Sequence, residues 1–458
     1  MGAFTSDAEN GLDDLAFRSS LVSTRLQKCS LSFYKEVQAV MNATNLNTVP
    51  YSDTLQINQK CLELQASGQD VYKFGFGQSP FAPPAHVIES LREHVSEAAY
   101  ANTQGHPELR ARVATFHQTS HTPLNADHVY IGPGSKQLIF SVMTAFKECT
   151  LFLPSPAWVS YEPQASLLNK KVVRILTSYE EKYRITPEQL DTTFSQPSSG
   201  QKIFILTYPG NPDGLSYTAE QLEAIAEVCR KHDVLVISDE IYGLLNFEGT
   251  HKSICDFYHE GTLVTTGLSK WGAMGGWRLG VMYHHASFQY DLHRVLIGIF
   301  SETFSCVTAP VQAAAIVAYS SIEEHEGYLS GQRAILQHLS DYSYNKFNAH
   351  GIKTVKGAGG FYLMPNFSDY KSGLNAVGIT TDTELCQALL GKHNVALLPG
   401  SAFGMPKDAF TARYAFVDFD GDAALAEYKE TFSEAYIQKH FSRIYEGVSE
   451  ICAFVKGL

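Results

Sequence analysis

Charged residues are scarce in this chain of 458 residues: they make up 18% of the sequence, below the average of about 25% for soluble proteins. Apolar residues make up 44%, which excludes disorder or coiled coil as the main architecture. Basic residues are outnumbered by acidic ones, 35 against 47, and the net charge of −12 argues against binding to nucleic acid. No uninterrupted apolar run reaches 18 residues, so neither a transmembrane helix nor stable membrane association is expected.

The eight cysteines also lack a recognisable pattern, since no two form a Cys-x-x-Cys pair and no histidine pair has zinc-like spacing. Disulfide frameworks are typical of short secreted chains, so we interpret these cysteines as isolated core residues and predict no metal site. The N-terminus lacks the charged and then apolar layout of a signal peptide, which favours a cytoplasmic protein. The opening Met1-Gly2 through Ser6 fits the N-myristoylation pattern, and the modification of Gly2 is left open.

Four parts are expected along the chain. We expect residues 1–50 to form an N-terminal arm with a helical patch at Leu31–Met41, and residues 51–80 to form a segment that joins the small domain. Residues 81–315 predict a large domain, because seven strand-like runs alternate there with amphipathic helices, the pattern of a largely parallel sheet. Residues 316–458 mix long helices with shorter strands and predict a smaller α+β domain that closes with one long helix at 427–455.

The segment that carries most chemical information follows the predicted strand at 262–266. Lys270 lies there in a glycine-rich stretch, directly after Ser269, and Arg278 follows eight residues later. Glycine permits close backbone approach to a ligand. A lysine held in such a place can have a lowered pKa and form a Schiff base, and the arginine fork suits a phosphate.

Three more motifs follow predicted strands. Asp239 and Tyr242 come at the end of an apolar strand, and Asn211 opens an Asn-Pro-Asp-Gly turn. Gly134-Ser135-Lys136 connects a strand to a helix, whose free backbone N–H groups can bind an anion. Each motif alone is weak. Together they require a ligand with a phosphate, a carbonyl for the lysine and a cationic ring nitrogen, and pyridoxal 5′-phosphate has all three.

In this order the motifs resemble those of the class I/II aminotransferases, in the aspartate-aminotransferase-like family with fold type I. The resemblance covers about residues 52–458 and extends to Trp158-Val159-Ser160-Tyr161, Gly360-Phe361-Tyr362, the loop at 398–404 and Arg413. It implies an α/β fold: a large domain with a mostly parallel seven-stranded sheet, and a smaller α+β domain. It also implies pyridoxal phosphate as cofactor, L-amino acids and 2-oxo acids as substrates, and a homodimer with shared active sites.

The family implies a role for each matching residue. Lys270 would form the Schiff base and move the substrate proton, and Asp239 would pair with the pyridinium nitrogen. Asn211 and Tyr242 would bind the phenolic oxygen, and Trp158 would stack on the ring or line the substrate side. The phosphate would be held by Gly134, Ser135, Lys136, Ser269, Arg278 and, from the neighbouring subunit, Tyr100. Arg413 would grip the substrate α-carboxylate, with Gly77 beside it.

Departures from the family pattern leave the substrate open. Asp213 stands where threonine is common in the Asn-Pro-x-Gly turn, and Glu302 lies in a segment that approaches the partner's site in the family. The leading hypothesis is an aminotransferase. A lyase or cyclase of the same fold shares the lysine, aspartate and phosphate residues and stays as the alternative. A cofactor-binding regulator without activity is disfavoured, because the arm is short for a DNA-binding domain and the net charge is negative.

Overall fold

The computed structural model describes residues 51–458; residues 1–50, with the predicted helical patch Leu31–Met41 and with Gly2, lie outside the described residues. The helices of the described part are α1 (Asp53–Ala66), α2 (Ala85–Glu93), α3 (Pro107–His117), α4 (Ser135–Ala145), α5 (Tyr161–Leu167), α6 (Pro187–Phe194), α7 (Ala219–Lys231), α8 (His293–Thr303), α9 (Ala309–Ala318), α10 (Glu326–Ala349), α11 (Lys371–Ala376), α12 (Asp382–His393), α13 (Gly421–Glu427) and α14 (Glu434–Lys456). The strands are β1 (Tyr72–Lys73), β2 (Val129–Gly132), β3 (Cys149–Ser155), β4 (Lys171–Leu176), β5 (Gln201–Thr207), β6 (Leu235–Asp239), β7 (Thr262–Gly267), β8 (Gly280–Tyr283), β9 (Tyr362–Leu363), β10 (Val395–Ala396), β11 (Leu398–Pro399) and β12 (Ala412–Ala415).

Within residues 51–458, seven strands form one large sheet in the order β2-β8-β7-β6-β5-β3-β4. All neighbouring pairs are parallel except those made by β8, which runs antiparallel to both β2 and β7. The α/β class with a mostly parallel seven-stranded sheet is therefore confirmed. Thr207 and Asp239 pair at the carboxyl ends of β5 and β6, which brings the following loops to one edge of the sheet.

Alternate residues of the central strands enter two different cores, as expected for a sheet covered on both faces. Ile203 and Ile205 of β5 pack with residues of α4 and α8, whereas Phe204 and Leu206 pack with residues of α6 and α7. Local sequence sets where several of these helices begin. Among the helices described, three start with a reciprocal capping box, in which the side chain of a threonine and that of the glutamine or glutamate three residues later each accept from the other residue's backbone N–H: α6, α7 and α12.

The described part of the chain also contains two small sheets. β1 pairs in parallel with β10, so residues 72–73 join a strand more than three hundred positions away in the sequence. β12 lies between β11 and β9, antiparallel to both, and it carries Arg413 opposite Leu398. The division of the chain into an N-terminal segment, a large domain and a small domain stays a prediction.

The single closing helix predicted at 427–455 is wrong at its start. α13 ends at Glu427, Glu430 adopts a positive φ of 58°, and α14 begins after the capping residue Ser433. Ser433 accepts a hydrogen bond from the backbone N–H of Tyr436, which fixes the new start. Within residues 51–458, none of the helices is long and apolar enough to cross a membrane.

Candidate active site

A cavity of about 510 Å³ opens at the carboxyl edge of the large sheet. Its wall includes the end of β5 at Thr207, the end of β6 at Asp239 and the loop after β7 with Lys270. Ten of the predicted site residues line it: Gly77, Ser135, Lys136, Trp158, Asn211, Asp239, Tyr242, Ser269, Lys270 and Arg278. The topology of a parallel sheet thus collects motifs that are far apart in the sequence.

Lys270 lies in the wall of this cavity. Its Nζ donates a hydrogen bond to the carbonyl oxygen of Gly77 at 2.9 Å and lies 5.4 Å from the ring centres of Tyr242 and Phe361. Loss of hydration lowers the pKa of the Lys270 amine to about 7, and the nearby Arg413 guanidinium adds to that effect. The lowered pKa favours the neutral amine, which is the nucleophilic form.

Asp239 is the last residue of β6 and is only 3% exposed. Its Oδ2 accepts a hydrogen bond from the Tyr161 hydroxyl at 2.6 Å, and its Oδ1 accepts one from Thr265 Oγ1 at 3.3 Å. Burial raises the pKa of the Asp239 carboxyl to about 6, although both hydrogen bonds favour the charged form. A cationic nitrogen placed beside this carboxylate would offset the cost of its burial.

The phenols of Tyr242 and Tyr362 lie 2.9 Å apart, and the Tyr362 hydroxyl also donates to the Gly77 carbonyl oxygen at 3.4 Å. Lys270 donates to that same oxygen. A side chain on Gly77 would overlap the Tyr362 hydroxyl, so the close approach of the two segments requires glycine. Tyr242, Tyr362, Gly77 and Lys270 therefore form one hydrogen-bond network along the cavity wall.

At another part of the wall, the first turn of α4 faces Arg278. Gly134 precedes the helix with a positive φ of 95°, and the Arg278 guanidinium donates to the carbonyl oxygens of Gly275 at 2.8 Å and Pro133 at 3.2 Å. A Cβ at Gly134 would overlap Arg278 Nη2. The free N–H groups of a helix N-terminus beside an arginine suit a phosphate group.

The side chain of Lys136, from the same turn of α4, extends over Trp158, with its Nζ 4.9 Å from the ring centre. Both residues line the cavity. Among residues 51–458, the structure gives the Lys136 Nζ no carboxylate partner. The sequence predicts only a backbone role for Lys136, whereas the structure places its ammonium group at the wall of the cavity.

Arg413 lies behind Asn211 and is 1% exposed. Its Nη1 donates to Asn211 Oδ1 at 3.0 Å and its Nη2 donates to the Gly75 carbonyl oxygen at 2.6 Å. The guanidinium lies between the rings of Tyr362 and Phe403, at 4.8 and 5.0 Å from their centres. Its Nε has no hydrogen-bond partner within the described residues, so a buried cation retains a free donor.

Besides Arg413, two further predicted residues do not line the cavity. Gly134 contacts Arg278 from the adjoining turn, and Tyr100 is 91% exposed. The sequence alone predicts no role for Tyr161 or Tyr362, although both belong to motifs that carry the family resemblance. Their hydrogen bonds to Asp239 and Tyr242 depend on how distant segments meet, and no local pattern indicates them.

The donor set fits pyridoxal 5′-phosphate. A lysine amine with a lowered pKa, a buried carboxylate and an anion-binding helix start line a single cavity, matching the aldehyde, ring nitrogen and phosphate of the cofactor. Within residues 51–458, no group of three or more His, Cys, Asp or Glu side chains is placed to hold a metal ion.

Comparisons with known proteins agree with this chemistry. Residues 69–413 match the family described as aminotransferase class I and II. The chain is 32% identical to the aspartate aminotransferase of Bacillus subtilis (strain 168) over 376 residues, which is 80% of this chain and 92% of that protein. It is 29% identical to the asparagine–oxo-acid transaminase of Streptococcus mutans, covering 78% of this chain and 90% of the relative.

Among solved structures, the aspartate aminotransferase of Thermus thermophilus with maleate superimposes with a TM-score of 0.76 at 25% identity, covering 88% of this chain and 97% of that one. The chain therefore belongs to the class I and II aminotransferase family. It is a pyridoxal-phosphate-dependent aminotransferase, and its substrates are amino acids and 2-oxo acids.

Proposed function

We propose that Lys270 bonds the cofactor and acts as the proton-transfer group of this aminotransferase. The observation that carries the proposal is its lowered pKa of about 7 in a cavity shared with Asp239 and the α4 turn. When bound, pyridoxal 5′-phosphate supplies an aldehyde for this amine and a cationic ring that accepts electrons from the substrate. The neutral Lys270 amine accepts the proton from the substrate Cα, a contribution of roughly 10²–10⁴ in rate.

The other residues around the cavity bind and orient. Asp239 holds the ring nitrogen in its protonated form, Asn211 and Tyr242 donate to the phenolic oxygen, and Trp158 covers the ring. The phosphate is held by Gly134, Ser135, Lys136, Ser269 and Arg278, with Tyr100 from a second subunit. This assignment is supported by the position of ten of the predicted residues around one cavity.

Arg413 binds the α-carboxylate that all substrates share, and Asn211 and Gly77 adjoin it. The support is a buried guanidinium that contacts Asn211 and whose Nε has no hydrogen-bond partner within residues 51–458. A carboxylate would neutralise this charge and satisfy the remaining donor.

Acidic amino acids and their amides are the favoured substrates. The relatives described above act on aspartate or asparagine by name, and Lys136 offers a cation at the cavity wall for a side-chain carboxylate or amide oxygen. A lyase or cyclase reaction is not favoured, because these relatives are transaminases. The same comparison disfavours a regulator without activity.

We also propose a homodimer in the cytoplasm. Dimerisation would bring the exposed Tyr100 against a neighbouring site, as the family resemblance implies. Seven cysteines of the described part are free thiols, which suits a reducing compartment.

The central test is reduction of the holoenzyme with borohydride, followed by peptide mapping. We expect the cofactor to be fixed to the peptide that contains Lys270, and Lys270→Ala to lose this reducible link. Lys231→Ala is a suitable control, because that exposed lysine pairs with Asp191 at 2.7 Å, remote from the cavity. A cofactor fixed to any other lysine would refute the assignment.

A further inference from the structure

The Asn-Pro-Asp-Gly turn carries a charge that the reaction described above does not use. Asp213 follows Asn211 by two residues and is only 5% exposed, and its carboxylate forms an ion pair with Arg184. Asp213 Oδ1 also accepts a hydrogen bond from the backbone N–H of Leu215 at 3.1 Å. A buried carboxylate in a four-residue turn costs free energy unless it is paired, so this turn depends on the ion pair with Arg184.

Arg184 is held in place from its own side. The two residues before it, Lys182 and Tyr183, both have a φ of 52°, in the left-handed region that non-glycine residues rarely adopt. The Arg184 guanidinium lies 4.6 Å from the ring centre of Tyr217, and its side chain is 13% exposed. Two successive residues in this conformation indicate that surrounding contacts fix the direction in which Arg184 leaves the loop.

The pair lies one step from the substrate-binding groups. Asn211 lines the active-site cavity, and its Oδ1 accepts from Arg413. A small cavity of about 20 Å³, large enough for one water molecule, is lined by Arg184, Asp213 and Asn211. The contacts therefore run without interruption from Arg184 through Asp213 and its turn to Asn211 and Arg413.

We propose that Arg184 and Asp213 are positioning residues, which hold Asn211 so that Arg413 is oriented for the substrate carboxylate before substrate binds. The inference rests on the proposed role of Arg413 and deepens it. It explains why aspartate at position 213 is tolerated where threonine is common: the charge is matched by an arginine from another segment. Neither residue touches the cofactor cavity, so neither is a catalytic residue.

The test compares Asp213→Asn, Arg184→Met and the double variant with the wild-type holoenzyme. Methionine retains packing over Tyr217 and asparagine retains an acceptor for Leu215. Because a misplaced binding group can cost up to about 100-fold, we expect each variant to raise the KM for L-aspartate and for a 2-oxo acid by about tenfold, with a smaller change in kcat. The KM of the double variant should match that of the single variants, since all three lack the same pair.

Thermal unfolding separates positioning from stability. Each single variant leaves one buried charge unpaired, so both should unfold at a lower temperature, whereas the double variant should recover. Its KM should nevertheless stay raised, which a merely structural role would not produce. Arg230→Met is a suitable control. Arg230 also pairs with a carboxylate, Glu260, and lies over a tyrosine ring, but it is near the start of β6, whereas the cavity is at the end of that strand.

Wild-type KM values in the folded double variant would overturn the proposal, and so would KM effects of the single variants that simply multiply. If a single variant fails to fold, the KM values of the double variant and of Arg184→Lys show instead whether the ion pair positions Arg413. All variants should keep the cofactor reducibly linked to Lys270. If the wild type has no such link, the proposed function is refuted, whereas the observed ion pair of Arg184 with Asp213 is unaffected.

Discussion

The buried amine of Lys270, the proposed cofactor-bonding residue, also affects the stability of the fold. Its pKa falls from 10.5 in the unfolded chain to about 7 in the folded cofactor-free protein. Between these values the unfolded state binds more protons than the folded state, so this group destabilises the fold at pH 7 and the penalty fades as pH rises towards 10.

We therefore predict that Lys270→Met stabilises the cofactor-free protein at pH 7 by about 2–4 kcal/mol relative to wild type, with the gap narrowing towards pH 9.5. Urea unfolding of both proteins at several pH values measures this difference. Lys231→Met serves as the control, because that exposed lysine should show no such trend. Parallel stability curves for Lys270→Met and wild type would mean that the folded amine keeps an ordinary pKa.

Arg413 provides the second prediction for an individual residue. Arg413→Lys should raise the KM of acidic, aromatic and aliphatic amino acids by similar factors, because a point charge cannot replace a planar fork at a shared carboxylate. The loss in kcat/KM should be roughly 2–5 kcal/mol. Arg443→Lys, which alters an arginine paired with Asp70 and Asp418 away from the cavity, should leave these constants near wild type. A changed order of substrate preference would show that Arg413 reads side chains instead.

At the level of elements, the turn between β2 and α4 leaves no room for a side chain at Gly134. Gly134→Ala would place a methyl group against Arg278. It would also put alanine in a backbone conformation with positive φ, which residues with a β-carbon rarely adopt. We expect weaker cofactor binding, measured by equilibrium titration of the cofactor-free protein, with normal secondary structure. Gly391→Ala is the matched control, since its site within α12 is open and ordinary in conformation. Unchanged affinity in Gly134→Ala would mean that this turn does not hold the phosphate.

The same elements indicate what sequence can predict. Seven strand-like runs are predicted between residues 81 and 315, and the large sheet has seven strands there, because β-branched runs between amphipathic helices are a local signal. Residues 395–399, by contrast, form two short strands, β10 and β11, which belong to different sheets because they pair with distant strands. The closing helix was misjudged because the break near Glu430 depends on backbone conformation and on a single capping serine.

For the whole molecule, the order of motifs predicted which residues surround the cavity but not how they contact each other. Lys270 and Gly77 are 193 positions apart and share a hydrogen bond, and the contact of Arg413 with Asn211 spans 202 positions. Such contacts are products of the folded topology. This is also why the hydrogen bonds of Tyr161, Tyr362 and Asp213 emerged only from the structure.

The quaternary arrangement gives the last prediction. If Tyr100 completes the site of a second subunit, the protein is a homodimer in sedimentation experiments, and Tyr100→Phe weakens cofactor binding by about 1.5–3 kcal/mol, the value of a hydrogen bond to a charged group. Mixing Lys270→Ala and Tyr100→Phe subunits tests the exchange directly. In a mixed dimer one site carries both changes and the other carries neither, so half of the sites should bind cofactor with wild-type affinity and form the reducible link. If each active site is built within one subunit, every site of the mixed dimer carries one of the two changes and is defective. A fully active monomer would show that Tyr100 does not complete the site of a second subunit.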